Sequence, residues 1–226
     1  MKPLPASPSR PYGFSLVELL VAIVCGGLVV MLALAGGSSM MQKSREMGCV
    51  SNLRQLYSGL MLYSQDHQQR LPFGAREPDV PEINGNYYSG AYARELKEYI
   101  PGLNQPGYST GHVEPYLCPA DRETRAGTGR GFLGHSYGVN MTICRNTDND
   151  KSDTPYSRTT TWRFPGQTFL LADSINAVIA RSKPVNVDPR HRGGANALFC
   201  DGHVEWRPAP FPNWSEDRAF WVPDYE

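Results

Sequence analysis

The hydrophobic pattern at the amino-terminal end of the chain predicts one long helix in two parts. Residues 14–35 are almost entirely apolar, and about 22 such residues make a helix long enough to cross a hydrocarbon core of about 30 Å. Beyond this run, apolar residues recur at alternating intervals of four and three, which places them on one stripe of a helix. They are Cys49, Leu53, Leu56, Leu60 and Tyr63. We therefore predict a transmembrane segment over 14–35 and a helix extension over 36–70.

The pattern changes after Leu71-Pro72, and residues 71–226 are predicted to form a globular domain. Residues 72–134 are rich in Gly, Pro, Asn and Tyr, which predicts loops with one short helical candidate over 91–99. A buried strand is predicted over 168–172, directly before Asp173. The predicted fold class is α+β, with the long amino-terminal helix packed on an antiparallel sheet.

A hairpin is predicted over residues 196–207, because Asp201-Gly202 lies between two β-favouring runs. In a two-residue turn both central residues need positive φ, and direct pairing then sets Cys200 opposite His203. Period-two alternation puts four apolar side chains on the face that we expect to be the core. They are Ala197, Phe199, Val204 and Trp206.

The amino-terminal segment carries a processing signal. A polar leader with Lys2 and Arg10 ends at Gly13, Phe14 follows, and Glu18 places a carboxylate inside the apolar run. A charge within a span costs roughly 2.5–3.5 kcal/mol at the membrane centre, so it usually marks a function and has a partner. The combination resembles the class III signal of type IV prepilins and type II secretion pseudopilins. The resemblance implies a leader over 1–13, cleavage by prepilin peptidase, methylation of the new amino terminus and pairing of Glu18 with a neighbouring subunit's amine.

Two other interpretations of the apolar run are an ordinary signal anchor and a cleaved secretory peptide. The sequence 33–35 before Gly36 fits the small-x-small cleavage pattern. Two features argue against a cleaved secretory peptide: the apolar run is longer than the roughly 7–15 residues of a secretory hydrophobic core, and it contains Glu18. The positive charges before the span predict a cytoplasmic amino terminus and a periplasmic carboxy-terminal domain, in a single-pass protein of the inner membrane.

A second signature lies near the carboxy terminus. His191 is followed by nine residues and then Asp201-Gly202, which resembles the prepilin-type processing-associated family. Two short blocks in the middle of the chain resemble large-domain pseudopilin-like proteins, one over 116–121 with Cys118 and one over 136–140. The resemblance implies a structural pilin or pseudopilin subunit whose partners are the peptidase, other subunits and the inner membrane.

The same region holds residue types that bind divalent metal ions, which leaves a rival hypothesis open. They are Asp173, His191, Asp201 and His203. An Asp in an Asp-Gly turn is favoured for backbone reasons, so we expect His191 to bond a loop carbonyl or a carboxylate such as Asp173, with no metal or cofactor. A membrane-anchored periplasmic enzyme or metal-binding domain is the alternative. The sequence shows no nucleophile motif, paired glycosidase carboxylates or phosphate loop, and we expect no enzymatic activity.

The charge balance and the cysteines limit the function classes and the possible disulfides. The chain has 22 basic and 22 acidic residues, so its net charge gives no support for nucleic-acid binding. Cys25 lies in the predicted span, whereas four cysteines would face an oxidising compartment and allow three complete pairings. The preferred disulfide is Cys118–Cys144, with Cys49 as a buried free thiol on the helix stripe.

Overall fold

The computed structural model describes residues 13, 15–72, 74, 92, 95–100, 115–121, 136–144, 155–176, 178–180, 186–213 and 215–223, with the backbone alone over 33–39, at 97 and at 155. It divides into two compact units, Met1–Lys43 and Ser44–Glu226. Residues 1–12 of the predicted leader, and Phe14 after the predicted cleavage site, lie outside the described residues.

The predicted long helix is present as α1, Leu16–Asp66. It ends before the predicted residue 70, because Gln68 and Gln69 adopt left-handed backbone conformations with φ of 57° and 62°. The predicted stripe forms its buried face in the second unit, where Leu53, Leu56 and Leu60 have no exposed surface. Full burial of each leucine contributes about 1.5–3 kcal/mol, so this stripe is the main attachment of the helix extension to the domain.

The sheet has five strands: β1 Tyr137–Asn140, β2 Phe169–Asp173, β3 Val178–Ile179, β4 Gly194–Phe199 and β5 Val204–Pro208. Their order across the sheet is β3-β1-β2-β4-β5. Every pair is antiparallel except β1 with β3, which is parallel. The prediction of an antiparallel sheet is therefore wrong at one edge, because the chain leaving β2 reverses and continues beyond β1 to add β3 there. The fold is a pilin-like α+β arrangement with a mixed sheet.

Short helical turns of the 3₁₀ type connect these elements at Leu96–Glu98, Pro155–Ser157 and Thr159–Thr161. The helix predicted over 91–99 is present in part: Tyr92 and Glu95 have α-helical backbone, and the 3₁₀ turn at Leu96–Glu98 follows them. Residues 91, 93 and 94 lie outside the described part of the chain. Leu96 and Ile100 are buried, and a Cβ on Gly59 of α1 would lie 2.6 Å from Ile100 Cγ1. Glycine at position 59 thus allows this turn to approach the helix closely.

Both faces of β1, β2 and β4 are buried, whereas β5 at one edge is partly exposed. One face packs against α1 through Val139, Leu171 and Leu198. The opposite face packs against the carboxy-terminal segment, where Phe169 lies in ring contact with three aromatic residues. They are Phe211, Phe220 and Trp221. The carboxy-terminal segment therefore acts as the second covering layer that a sheet with two apolar faces requires.

The hairpin of β4 and β5 forms where it was predicted, but its register differs by one residue. Leu198 pairs with Val204, and Asn196 pairs with Trp206. Phe199 and His203 close a three-residue loop, since Phe199 N donates to His203 O at 2.8 Å and Gly202 N donates to Phe199 O at 2.9 Å. In this loop only Gly202 has positive φ, +91°, as in a type I turn followed by a bulge.

The one-residue shift changes which side chains share a face. Val204 lies on the α1 face with Leu198, whereas Ala197 and Phe199 lie on the opposite face. Trp206 is 38% exposed. The predicted core face of Ala197, Phe199, Val204 and Trp206 is therefore wrong as a single surface.

Candidate functional site

The start of α1 is built as a reciprocal capping box. Ser15 N donates to Glu18 Oε2 at 2.9 Å, and Val17 N donates to Ser15 Oγ at 3.4 Å. These bonds satisfy backbone donors that a helix leaves unpaired in its first turn. The Glu18 carboxylate also lies at the positive end of the helix dipole. Glu18 thus has a partner inside its own chain, which the Ser-x-x-Glu spacing at Ser15 could have predicted.

The side chains described over 15–32 are all exposed. The apolar ones include Leu16, Leu19, Leu20, Ile23, Leu28 and Leu32. Gly13 is also exposed, and a Cβ placed on it would meet no atom within 4 Å. In the described part of the chain, no helix combines the length and the hydropathy that crossing a membrane requires.

A buried cluster joins four separate elements in the second unit. Cys49 comes from α1, Cys118 from the turn over 118–121, Asp173 from the end of β2, and His191 from the turn before β4. One ligand-type atom from each of the four residues lies within 4.8 Å of the others. His191 Nε2 is 3.4 Å from Cys118 Sγ and 3.4 Å from Asp173 Oδ2. The expected proximity of His191 to the Asp173 carboxylate is present.

Cys49 and Cys118 form a disulfide, with their Cα atoms 4.9 Å apart. The predicted Cys118–Cys144 pairing is therefore wrong. Cys49 lies at the buried stripe of α1, and two further bonds hold the helix beside the Cys118 turn: Asn52 Nδ2 donates to Leu117 O at 2.9 Å, and Tyr137 Oη donates to Cys49 O at 3.4 Å. A sequence separation of 69 corresponds to a stabilisation of about 4 kcal/mol by chain-entropy arguments.

The remaining cysteines are free thiols: Cys25 is exposed, and Cys144 and Cys200 are buried. Burial, with a smaller contribution from Glu95, raises the pKa of Cys144 to about 12. Burial also raises the pKa of Cys200 well above its usual value. Both buried thiols therefore stay protonated at neutral pH, which makes them poor nucleophiles and poor metal ligands.

A tight turn positions His191. Its backbone pairs with Gly194 through two bonds of 3.0 Å, and Arg192 and Gly193 between them have φ of 54° and 79°. Two consecutive positive φ values are typical of a type I′ turn. Trp206 Nε1 donates to His191 O at 2.7 Å. The Arg192-Gly193 segment is thus a defined turn that holds His191 in position.

Asp173 and Arg190 connect this cluster to a network of charges. Asp173 Oδ2 accepts the backbone N–H of Asn196 at 2.7 Å. Arg190 forms ion pairs of 2.8 Å with both Asp121 and Asp188. Burial by itself would lower the pKa of Arg190, but the carboxylates of Asp173, Asp188 and Asp121 outweigh it and raise that pKa. Arg190 is therefore a permanent positive charge beside a buried carboxylate.

The two short blocks in the middle of the chain, 116–121 and 136–140, both contribute hydrogen bonds around this network. Ser136 Oγ donates to Asp121 Oδ2 at 2.7 Å, so the block over 116–121 and the block over 136–140 meet here. In the second block, Asn140 Nδ2 donates to Phe169 O at 2.9 Å and Trp221 O at 3.0 Å. Both blocks stabilise the tertiary structure around the cluster.

The residues of the carboxy-terminal signature are not brought together. His191 and Asp201 lie at opposite ends of β4, about 20 Å apart at the rise of a strand. Asp201 Oδ1 accepts the backbone N–H of His203 at 3.1 Å, and both side chains are about 40% exposed. The metal set considered from sequence is therefore divided: Asp173 and His191 share a buried site, whereas Asp201 and His203 form a solvated turn.

Comparison with known proteins identifies the amino-terminal signature. Residues 9–34 match the family described as the prokaryotic N-terminal methylation motif. The chain is thus prepilin-like, with a signal that is processed by prepilin peptidase and that indicates anchoring in the inner membrane through the amino-terminal helix. No match supports the carboxy-terminal family resemblance. No curated protein and no solved structure matches the chain significantly.

Proposed function

We propose that this protein is a structural subunit of a type II secretion pseudopilus or a type IV pilus-like filament. Prepilin peptidase cleaves it between Gly13 and Phe14 and methylates the Phe14 amine. The observation that carries the proposal is the methylation motif over residues 9–34, joined to a helix whose described side chains over 15–32 are exposed. A large exposed apolar surface calls for a covering partner, and the lipid bilayer and neighbouring subunit helices are apolar enough to cover this one.

In the proposed filament, Glu18 binds the Phe14 amine of a neighbouring subunit. The Ser15 N–H already occupies Glu18 Oε2, but a carboxylate has a second oxygen and about four lone-pair positions. Capping and pairing between subunits are therefore compatible. The domain of residues 44–226 faces the periplasm and acts as a structural module without catalysis.

A second candidate is a membrane-anchored metal-binding domain, which the cluster of Cys49, Cys118, Asp173 and His191 favours. This candidate does not exclude the first. The two are separated by the variants that affect them, since filament assembly depends on Glu18 and metal binding depends on the cluster.

Replacing Glu18 with alanine or with glutamine is expected to reduce incorporation into filaments at least about tenfold. Both changes remove the charge that pairs with an ammonium in low dielectric, and a factor of ten requires only about 1.4 kcal/mol per contact. Glutamine at this position of a capping box keeps the bond to Ser15 N. Filament recovery is measured at matched membrane abundance of the cleaved subunit.

The glutamine variant is the decisive one. If Glu18→Gln enters filaments as well as the wild type while Glu18→Ala does not, the carboxylate serves only to cap α1. Wild-type incorporation of both variants would remove Glu18 from assembly altogether.

A further inference from the structure

We propose that Cys49, Cys118, Asp173 and His191 bind one Zn²⁺ ion when the Cys49–Cys118 disulfide is reduced. Two thiolates, one imidazole and one carboxylate form a complete tetrahedral ligand set of the types that zinc prefers. The four residues are between 0% and 2% exposed, which is typical of a closed structural site rather than an open catalytic one.

The distances in the cluster already resemble those of a zinc site. Bonds of about 2.3 Å to sulfur and about 2.0–2.2 Å to nitrogen or oxygen put tetrahedral ligands roughly 3.3–3.8 Å apart. His191 Nε2 is 3.4 Å from both Cys118 Sγ and Asp173 Oδ2. Two of the six ligand-to-ligand distances are thus already correct, and the largest change required is separation of the two sulfurs by side-chain rotation.

Asp173 carries an unsatisfied atom at this site. Its Oδ1 is buried and has no hydrogen-bond partner. Because the residue is fully inaccessible to solvent, bulk water does not supply one. A buried acceptor without a partner costs about 1–3 kcal/mol, more when it is charged. A Zn²⁺ ion bound to Oδ2 would also lie close to Oδ1 of the same carboxylate and would offset part of this cost.

Groups around the ligands hold them in place and balance their charge. Asp173 is fixed by the Asn196 N–H, and the type I′ turn fixes His191. Bonds of this kind to the ligands of a metal site commonly change affinity 10–100-fold. Two thiolates and one carboxylate with Zn²⁺ leave one net negative charge, and Arg190 supplies a positive charge beside Asp173.

The disulfide and the zinc complex are mutually exclusive states of one site. A dithiol reductant transfers two electrons to the S–S bond and, with two protons, yields the thiols of Cys49 and Cys118, while the reductant becomes a disulfide. Zn²⁺ then displaces both thiol protons into solvent. Either state joins α1 to the turn over 118–121, so the domain keeps this connection in oxidising and in reducing surroundings.

The test uses the full-length protein in detergent, with Cys25→Ser in every sample to remove the exposed thiol. The protein is reduced with a phosphine, which leaves as the phosphine oxide with oxygen from water. It is then exchanged into limiting Zn²⁺ and analysed for bound zinc and free thiols. We expect one zinc ion per reduced chain and less than about 0.1 per oxidised chain.

Matched variants locate the zinc ion. Cys144→Ser and Cys200→Ser remove buried thiols outside the cluster and are expected to retain one zinc ion. Cys49→Ser with Cys118→Ser is expected to lose it, and Asp173→Asn, which keeps the side-chain shape, is expected to weaken binding at least about tenfold. Co²⁺ in place of Zn²⁺ is expected to give thiolate charge-transfer bands and the intense visible bands of a tetrahedral site, both lost in the double variant.

Two results would overturn the proposal. One is a reduced chain whose Cys49 and Cys118 titrate as free thiols in the presence of Zn²⁺. The other is equal zinc content in the wild type and the Cys49→Ser, Cys118→Ser double variant. Neither result bears on filament assembly, because assembly is assigned to residues 13–32.

Discussion

Replacing Asp173 with alanine is expected to lower the free energy of unfolding of residues 44–226 by about 3–5 kcal/mol. The side chain is completely buried, and its loss leaves the Asn196 N–H without its acceptor. Arg190 also loses one of the carboxylates that stabilise its charge. Because domains of this size are stable by only about 5–15 kcal/mol, the variant will be close to unfolding. Urea denaturation of the oxidised protein with chelator present measures the loss without any contribution from metal.

Two control variants separate the causes of this loss. Asp188→Ala removes an ion pair of 2.8 Å to Arg190, but this carboxylate is 24% exposed and the expected loss is about 1 kcal/mol or less. Asp173→Asn keeps the shape and an acceptor for Asn196, so its loss is expected to lie between the other two. A change within about 1 kcal/mol for Asp173→Ala would contradict the structural importance assigned to the cluster.

Replacing Gly202 with valine is expected to destabilise the same domain by about 2–3 kcal/mol. A φ of +91° is unfavourable for any β-branched residue, and left-handed backbone alone costs roughly 1–2 kcal/mol. A Cβ at this position would also lie 2.7 Å from Tyr57 Cε1 of α1, and overpacking adds to the loss. The measurement is again the midpoint of urea denaturation, and we expect the slope of the unfolding free energy against urea concentration to stay unchanged.

Two comparisons show which cause dominates. Asp201→Asn keeps the residue types that favour this turn and is expected to change stability by less than about 0.5 kcal/mol. Gly202→Asn tolerates positive φ better than valine but retains the contact with Tyr57, so it isolates the steric contribution. If Gly202→Val were as stable as the wild type, the turn would be able to change its backbone without cost. The register of the β4–β5 hairpin described above would then be wrong.

Local sequence patterns predicted the long helix and three of the strands, because buried positions recur with the period of each secondary structure. The stripe from Cys49 to Tyr63 predicted the buried face of α1, and a short apolar run predicted the strand that became β2. The two β-favouring runs around Asp201-Gly202 predicted β4 and β5. The hairpin register was not determined, since Asp201-Gly202 suits both a two-residue turn and a three-residue loop with a bulge. One residue more in the loop moved Val204 to the opposite face from the one expected.

The disulfide and the pairing of the edge strand could not be predicted from local sequence patterns. Four outward cysteines allow three complete pairings, and the choice of Cys49–Cys118 depends on how α1 lies against a turn 69 positions away in sequence. The parallel edge strand β3 has only two residues, Val178–Ile179, too few for a periodic signal. The proximity of Asp173 to His191 was expected, but the two cysteines that complete the cluster were not.

The central claim, that this chain is a processed prepilin-like subunit, is tested most directly by mass spectrometry of its amino terminus. The protein is purified from membranes of cells with an active prepilin peptidase, beside a Gly13→Val variant and a peptidase-deficient strain. We predict a wild-type chain that begins at Phe14 and carries one methyl group on its amine, whereas both comparison samples retain residues 1–13. A mature wild-type chain that begins at Gly36, or one that retains its leader while the peptidase is active, would contradict the account.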